Sequence, residues 1–145
     1  MSVQFTYDTP VREMIALGKY NNGGFESDLL RYKMPVELQG EVAMPHLYHP
    51  GKAIWPDALD EQGLRSANLA ELLWFGYNNR EEQMKHSIVS LCHSRSDIGG
   101  TRLPLLGHEL FKLQRDGGAE RKDRILTTCA RMFWHESWRV AVVSK

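Results

Sequence analysis

"PLLGHELFKLQRDGGAERKDRILTTCARMFWHESWR", residues 104–139, is the stretch whose reading decides the fold class. At a period of 3.6 residues it divides into two helices. Leu103, Leu106, Leu110 and Leu113 make an apolar stripe, with His108, Lys112 and Arg115 on the other side. Pro104 at the start and Gly117-Gly118 past the end fit the asymmetry of helix termini. Gly107 inside the segment costs about 1 kcal/mol against Ala. The second helix, "AERKDRILTTCARMFWHESWR", is the longest expected. Its core face holds Ile125, Cys129, Met132 and Phe133, and Arg124, Arg131, Trp134, His135 and Trp138 fall largely outside that face. "VAVVSK" continues this helix, frays, or forms a final strand, because Val is a strand former.

Upstream, "NREEQMKHSIVSLCH" opens with Asn79 and has Glu82 three residues later, a capping-box-like start. Met84, Ile88 and Leu91 share a face there, opposite Glu82, His86 and His93. "SANLAELLWFGY" starts a helix at Ser66. "PVELQGEVAMP" alternates Val36, Leu38, Val42 and Met44 with polar residues, so it reads as a strand with a bulge at Gly40. "VQFTY" reads as a strand too. "TPVREMIALGKY" reads as a helix capped by Thr9, and "FESDLLRYKM" as another that Pro35 stops. The expected architecture is one α+β domain over 1–145. Short strands at about 3–7, 36–44 and a candidate at 139–143 pack against a mainly helical C-terminal half.

A chain of 145 residues with 42% hydrophobic and 25% charged residues has an ordinary globular composition and needs no staple for its core. Cys92 and Cys129 are too few for a secretory disulfide framework and suit a reducing compartment. The first residues lack an apolar leader and no run is long enough to span a bilayer, so a cytoplasmic location without membrane contact is expected. Net charge is zero but unevenly spread. Residues 1–75 carry six Lys/Arg against ten Asp/Glu, and residues 76–145 carry twelve against eight. Such asymmetry marks an anionic partner surface, a head-to-tail self-contact, or a chance split.

His46-x-x-His49, flanked by Pro45 and Pro50, is the first chemical constellation. With Asp57 or Asp60 it offers candidate metal ligands. Its spacing differs from the helical two-histidine protease motif, and no third ligand is nominated. Cys92-His93 is no dyad on a helix, because adjacent residues point about 100° apart. "NNGG" and "DIGG" match no phosphate-cradling loop, and no nucleophile elbow is present. No cofactor is implied.

The reading that follows is a non-enzymatic interaction protein. Arg124, Arg131, Trp134 and Trp138 anchor a macromolecular partner, and Lys112, Arg115 and Arg121 add positive potential. A protein partner with an acidic face, met as an assembly subunit or a masking inhibitor, is favoured over nucleic acid because net charge is zero. Self-association is a further option. The rivals are nucleic-acid binding through the same basic half and a metal-dependent enzyme centred on His46 and His49.

Overall fold

The computed structural model describes residues 3–20, 38–49, 56–91, 102–113, 119–130, 135 and 137–145. Among them, the side chains of residues 56, 57, 102, 109–113, 119–122, 129 and 130 are not described. In chain order the elements are α1 (Val11–Gly18), β1 (His46–Tyr48), α2 (Pro56–Asp60), β2 (Leu64–Ser66), α3 (Leu69–Asn78), α4 (Glu82–Lys85), β3 (Ile88–Val89), β4 (Arg102–Leu113), β5 (Ala119–Ala130) and β6 (Arg139–Ser144). The strands form one mixed sheet in the order β1-β6-β3-β4-β5, with β2 also paired to β6. β3 and β6 run parallel, and the other pairs are antiparallel.

The mainly helical C-terminal half is therefore overturned. Residues 102–113 and 119–130 are two twelve-residue strands in continuous register, from Arg102↔Ala130 to Leu113↔Ala119. The physical reason lies in double-sided burial. Leu103 and Leu105 pack with Val89, Leu91, Val140, Val142 and Leu59 on one face of the sheet. Leu106 and Leu126 pack with Leu72, Leu73, Phe75 and Met14 on the other. A strand buried on both faces is apolar at successive positions, so its period of two vanishes. Leucine's helical propensity then carries the local reading. In sequence, Asp116-Gly117-Gly118 therefore falls between two paired strands and not after a helix.

The other expectations divide. The segment 79–93 is not one helix: a single turn, α4, is followed by β3. Residues 3–7 and 38–44 meet only through an isolated antiparallel bridge, Thr6↔Glu41, flanked by Val42 N–H→Phe5 O and Tyr7 N–H→Gly40 O bonds. The expected strands at 3–7 and 36–44 are thus absent among the described residues. Gly40 there takes φ 83°, which L side chains rarely adopt. The expected helix over 25–34 lies outside the described residues.

Two short helices, α1 and α3, cover the face that carries Leu106 and Leu126. In α1 the carbonyl of Pro10 accepts the first helical bond, from Met14 N–H, and Thr9 instead closes a tight turn by accepting from Thr6 N–H. α3 begins with a reciprocal cap. Asn68 accepts from Glu71 N–H, and the Glu71 carboxylate accepts from Asn68 N–H. The carboxylate is fully buried and also receives both terminal nitrogens of Arg65, at 2.7 and 2.8 Å, and the Tyr7 hydroxyl at 2.6 Å. Tyr7 in turn accepts from Ala43 N–H. One side chain thus ties the N-terminal segment, the 38–45 segment, β2 and α3 together. No helix among the described residues is long and apolar enough to cross a membrane.

Candidate functional site: a basic sheet end at the root of a long hairpin

β3 is only two residues long, and this shapes the site. It pairs Val89 with Leu105 and Ile88 with Leu106, and there it stops. β4 and β5 stay paired for seven more positions, from Gly107↔Ile125 to Leu113↔Ala119. At about 3.4 Å per residue they form a ribbon that extends about 24 Å past Leu106. A two-stranded ribbon is marginal by itself, so its root needs support.

Gln83 of α4 supplies that support and is fully buried. Its side-chain amide donates to the carbonyls of Gly107 (2.7 Å) and Ile125 (3.0 Å), one on each strand. Its backbone carbonyl accepts from His108 Nδ1 at 2.9 Å, which fixes the Nδ1–H tautomer. Its side-chain oxygen accepts from Arg124 Nε at 3.1 Å. The two terminal nitrogens of Arg124 donate to Gly18 O (2.7 Å) and Gly76 O (2.9 Å), the last turns of α1 and α3. The guanidinium also lies 4.7 Å from the centre of the Tyr20 ring. Burial, chiefly, pulls the Arg124 pKa below its ordinary value. Arg124 is half-buried, and all three of its nitrogens are engaged within the chain. It seats the hairpin on the two helix C-termini, where carbonyl dipoles favour a cation.

The other residues expected to meet a partner spread out. Lys112 and Arg121 lie on the outer ribbon, where Lys112 pairs with Glu120 and Arg121 with Phe111. Trp138 is half-buried against the cluster of Val89, Val140 and Leu103, just before β6. Arg115, Arg131 and Trp134 lie outside the described residues. Arg121 and Arg124 lie on the strand β5, Ala119–Ala130, and not on a helix. A strand turns successive residues to opposite sides, so 3.6-periodic neighbours do not share a face there.

At the hairpin root three further strand ends converge. Tyr48↔Val140 is the last pair between β1 and β6, so His49 follows beside Arg139. Ile88↔Arg139 starts the parallel pairing of β3 and β6, and Arg139 N–H donates to Ser87 O. His86 precedes that residue at the end of α4, next to Lys85. One end of the sheet therefore gathers His49, Lys85, His86 and Arg139, and β4 passes beside it. Burial, first, and then the charge of Arg139 hold the His86 pKa below its ordinary value. Lys85 and His49 push the same way, and Glu82 opposes them.

His46 and His49 are both exposed. His46 opens β1 and pairs with Val142, whereas His49 lies past the other end of that strand, at the hairpin root. Among the described residues no group of three or more His, Cys, Asp or Glu could hold a metal ion. Asp57 sits in α2, with its side chain outside what is described. A concavity of about 370 Å³ lies elsewhere, at the C-terminus of α3, lined by Tyr77 to Glu82.

Sequence reading singled out His49 and His86 for other reasons and passed over Gln83, Lys85 and Arg139. The available signal was "SIVS", a β-branched pair between serines, which reads as a short strand. No protein-family model, curated protein or solved structure matches this chain.

Proposed function

We propose that this chain is a non-enzymatic interaction protein that grips a protein partner with an acidic face. The contact surface is the outer β4–β5 ribbon together with the basic sheet end at its root. The observation that carries this reading is the register. Seven residue pairs run past the end of β3, on the side where His49, His86 and Arg139 meet. A ribbon that outruns its sheet adds little to the core. Among the described residues no other strand pairs with it past Leu106, so it offers a partner two backbone edges and a run of side chains. Lys112, Arg121 and Lys122 lie on it, in the half of the chain with excess positive charge. Gln83 and Arg124 hold the root, so the ribbon is presented in a fixed direction.

The test shortens the ribbon. Replacing residues 110–122 with Asn-Gly keeps the Glu109↔Asp123 pair and closes it with a two-residue hairpin turn. The variant is expected to keep its far-ultraviolet spectrum and cooperative melting, and to lose the protein captured from a native extract by the full chain. Capture should survive nuclease treatment. Unchanged capture by the shortened chain removes the proposal. Capture that vanishes with nuclease, and weakens steeply with salt, transfers the surface to nucleic acid.

A further inference from the structure

We infer that the sheet end formed by His49, Lys85, His86 and Arg139 binds a doubly charged tetrahedral oxyanion of the phosphate class. The site belongs to the contact surface proposed above, but its chemistry is argued from the sheet end alone. The end of β1, the α4–β3 junction and the start of β6 are brought together by the Tyr48↔Val140 and Ile88↔Arg139 pairs. Each segment delivers a nitrogen donor group at the same sheet end, and their charges have one sign when protonated. Among the described residues Glu82 is the acidic group that acts on His86, and its link to Lys85 is a 3.7 Å ion pair between a half-buried carboxylate and an exposed ammonium. Pairs of that kind contribute little and exchange readily for another anion.

Arg139 directs one NH1 hydrogen to Ser137 O at 2.6 Å, and its planar fork carries further donors. Donors arriving from three segments suit a tetrahedral anion better than a carboxylate, which presents a single edge. Two charges on the ligand also match two permanent cations, Lys85 and Arg139, with a third available on His86. With the site unliganded, burial and its cationic neighbours disfavour the imidazolium of His86. An anion among the same groups reverses the local field, so binding draws a proton onto His86. Affinity for a fixed dianion therefore rises as pH falls through the His86 titration.

The test uses the full chain and follows the ring resonances of its six histidines by NMR. Sulfate, inorganic phosphate and acetate are titrated separately at constant ionic strength. Sulfate stays a dianion across the range, so its pH dependence reports on the protein. Saturable shifts are expected at His86 and His49 with sulfate and phosphate, with a raised His86 midpoint and tighter sulfate binding at pH 6 than at pH 8. Arg139→Gln should weaken binding by about tenfold, the loss of one charged hydrogen bond. Should that variant fail to fold, Lys85→Gln, at an exposed side chain, should reduce affinity by a smaller factor. Three results overturn the site: equal shifts at all six histidines, acetate matching sulfate, or no weakening in the folded variants. The shortened-ribbon chain should retain the sulfate response, so failure of this site and failure of the partner reading are read separately.

Discussion

Two charges inside the fold, one buried and one half-buried, organise this molecule, and they are held in opposite ways. Glu71 is met by a formal opposite charge, the bidentate Arg65, together with a phenol and a backbone N–H. Among the described residues Arg124 is held by neutral groups: two helix-end carbonyls, an amide oxygen and an aromatic face. The first arrangement joins segments of the N-terminal half. The second joins the hairpin to that half. An ion pair fails badly when one partner is removed, because the other charge stays in place. A cation among dipoles leaves only neutral groups behind. The two sites should therefore respond unequally to the same kind of change.

The largest effect is expected at Glu71. Glu71→Ala leaves Arg65, the Tyr7 hydroxyl and Asn68 N–H without their common acceptor and should cost about 3–5 kcal/mol, as for a broken buried pair. Chemical denaturation measures it; a loss below about 1 kcal/mol would show that water replaces the carboxylate. The pH dependence follows with a definite sign. Burial tends to raise the Glu71 pKa, but the bonds from Arg65, Tyr7 and Asn68 outweigh it and the net direction is downward from 4.5. A depressed carboxyl contributes stability that is complete above its unfolded value and lost as pH falls through the folded one. The melting temperature should thus drop as pH falls below 4.5, and Glu71→Gln should flatten that limb. His86 adds an earlier decline that begins below 6.5, where its unfolded form starts to take up protons that the folded form disfavours. His86→Gln should remove this upper part alone.

The same contrast explains what could be read from the chain. The Glu71 cap is local: Asn68-Leu69-Ala70-Glu71 is a capping box in four residues, and α3, buried at eight successive positions from Leu69 to Gly76, is an apolar run found within two or three residues of its true start. Ser66 misled only because a second good cap stood two positions earlier. The hairpin is different. Its inner half is buried on both faces and its outer half is charged, so neither half alternates cleanly. Arg124 looked like one polar residue among several because its partners, Gly18, Gly76 and Gln83, come from three distant elements. Nothing in a local pattern encodes such a seat. His49, His86 and Arg139 likewise become neighbours only through strand pairing.

Arg124→Met tests the weaker half of the comparison. It removes three charge-assisted bonds but also a desolvated cation, and Met restores much of the apolar stem. The expected loss is about 1.5–3 kcal/mol, smaller than at Glu71. Arg124→Lys should rescue little, because one ammonium cannot span Gly18 O, Gly76 O and the Gln83 oxygen as the planar fork does. A Lys variant as stable as the natural chain would mean that charge, not geometry, seats the hairpin.

Tyr20 sharpens the contrast at the smallest scale. Its ring lies under Arg124 in a slot made by two glycines: a Cβ on Gly18 would collide with the ring, and one on Gly76 would come within 2.5 Å of the hydroxyl. That hydroxyl is buried without a hydrogen-bond partner among the described residues. Burial pushes its pKa up to about 12, against the opposing charges of Arg124 and Arg80. Since the hydroxyl carries a desolvation cost and the ring alone supplies the cation–π contact, Tyr20→Phe should be neutral or stabilising by about 1 kcal/mol. Gly76→Ala should cost about 1–3 kcal/mol by overpacking. In the double variant Tyr20→Phe/Gly76→Ala part of that loss should return, because the atom nearest the new methyl is gone. The other close contact, Leu106 Cδ1 at 3.0 Å, sets how much remains. A double-mutant cycle with no coupling would mean that Leu106 alone resists the methyl and that the glycine serves the sheet, not the tyrosine.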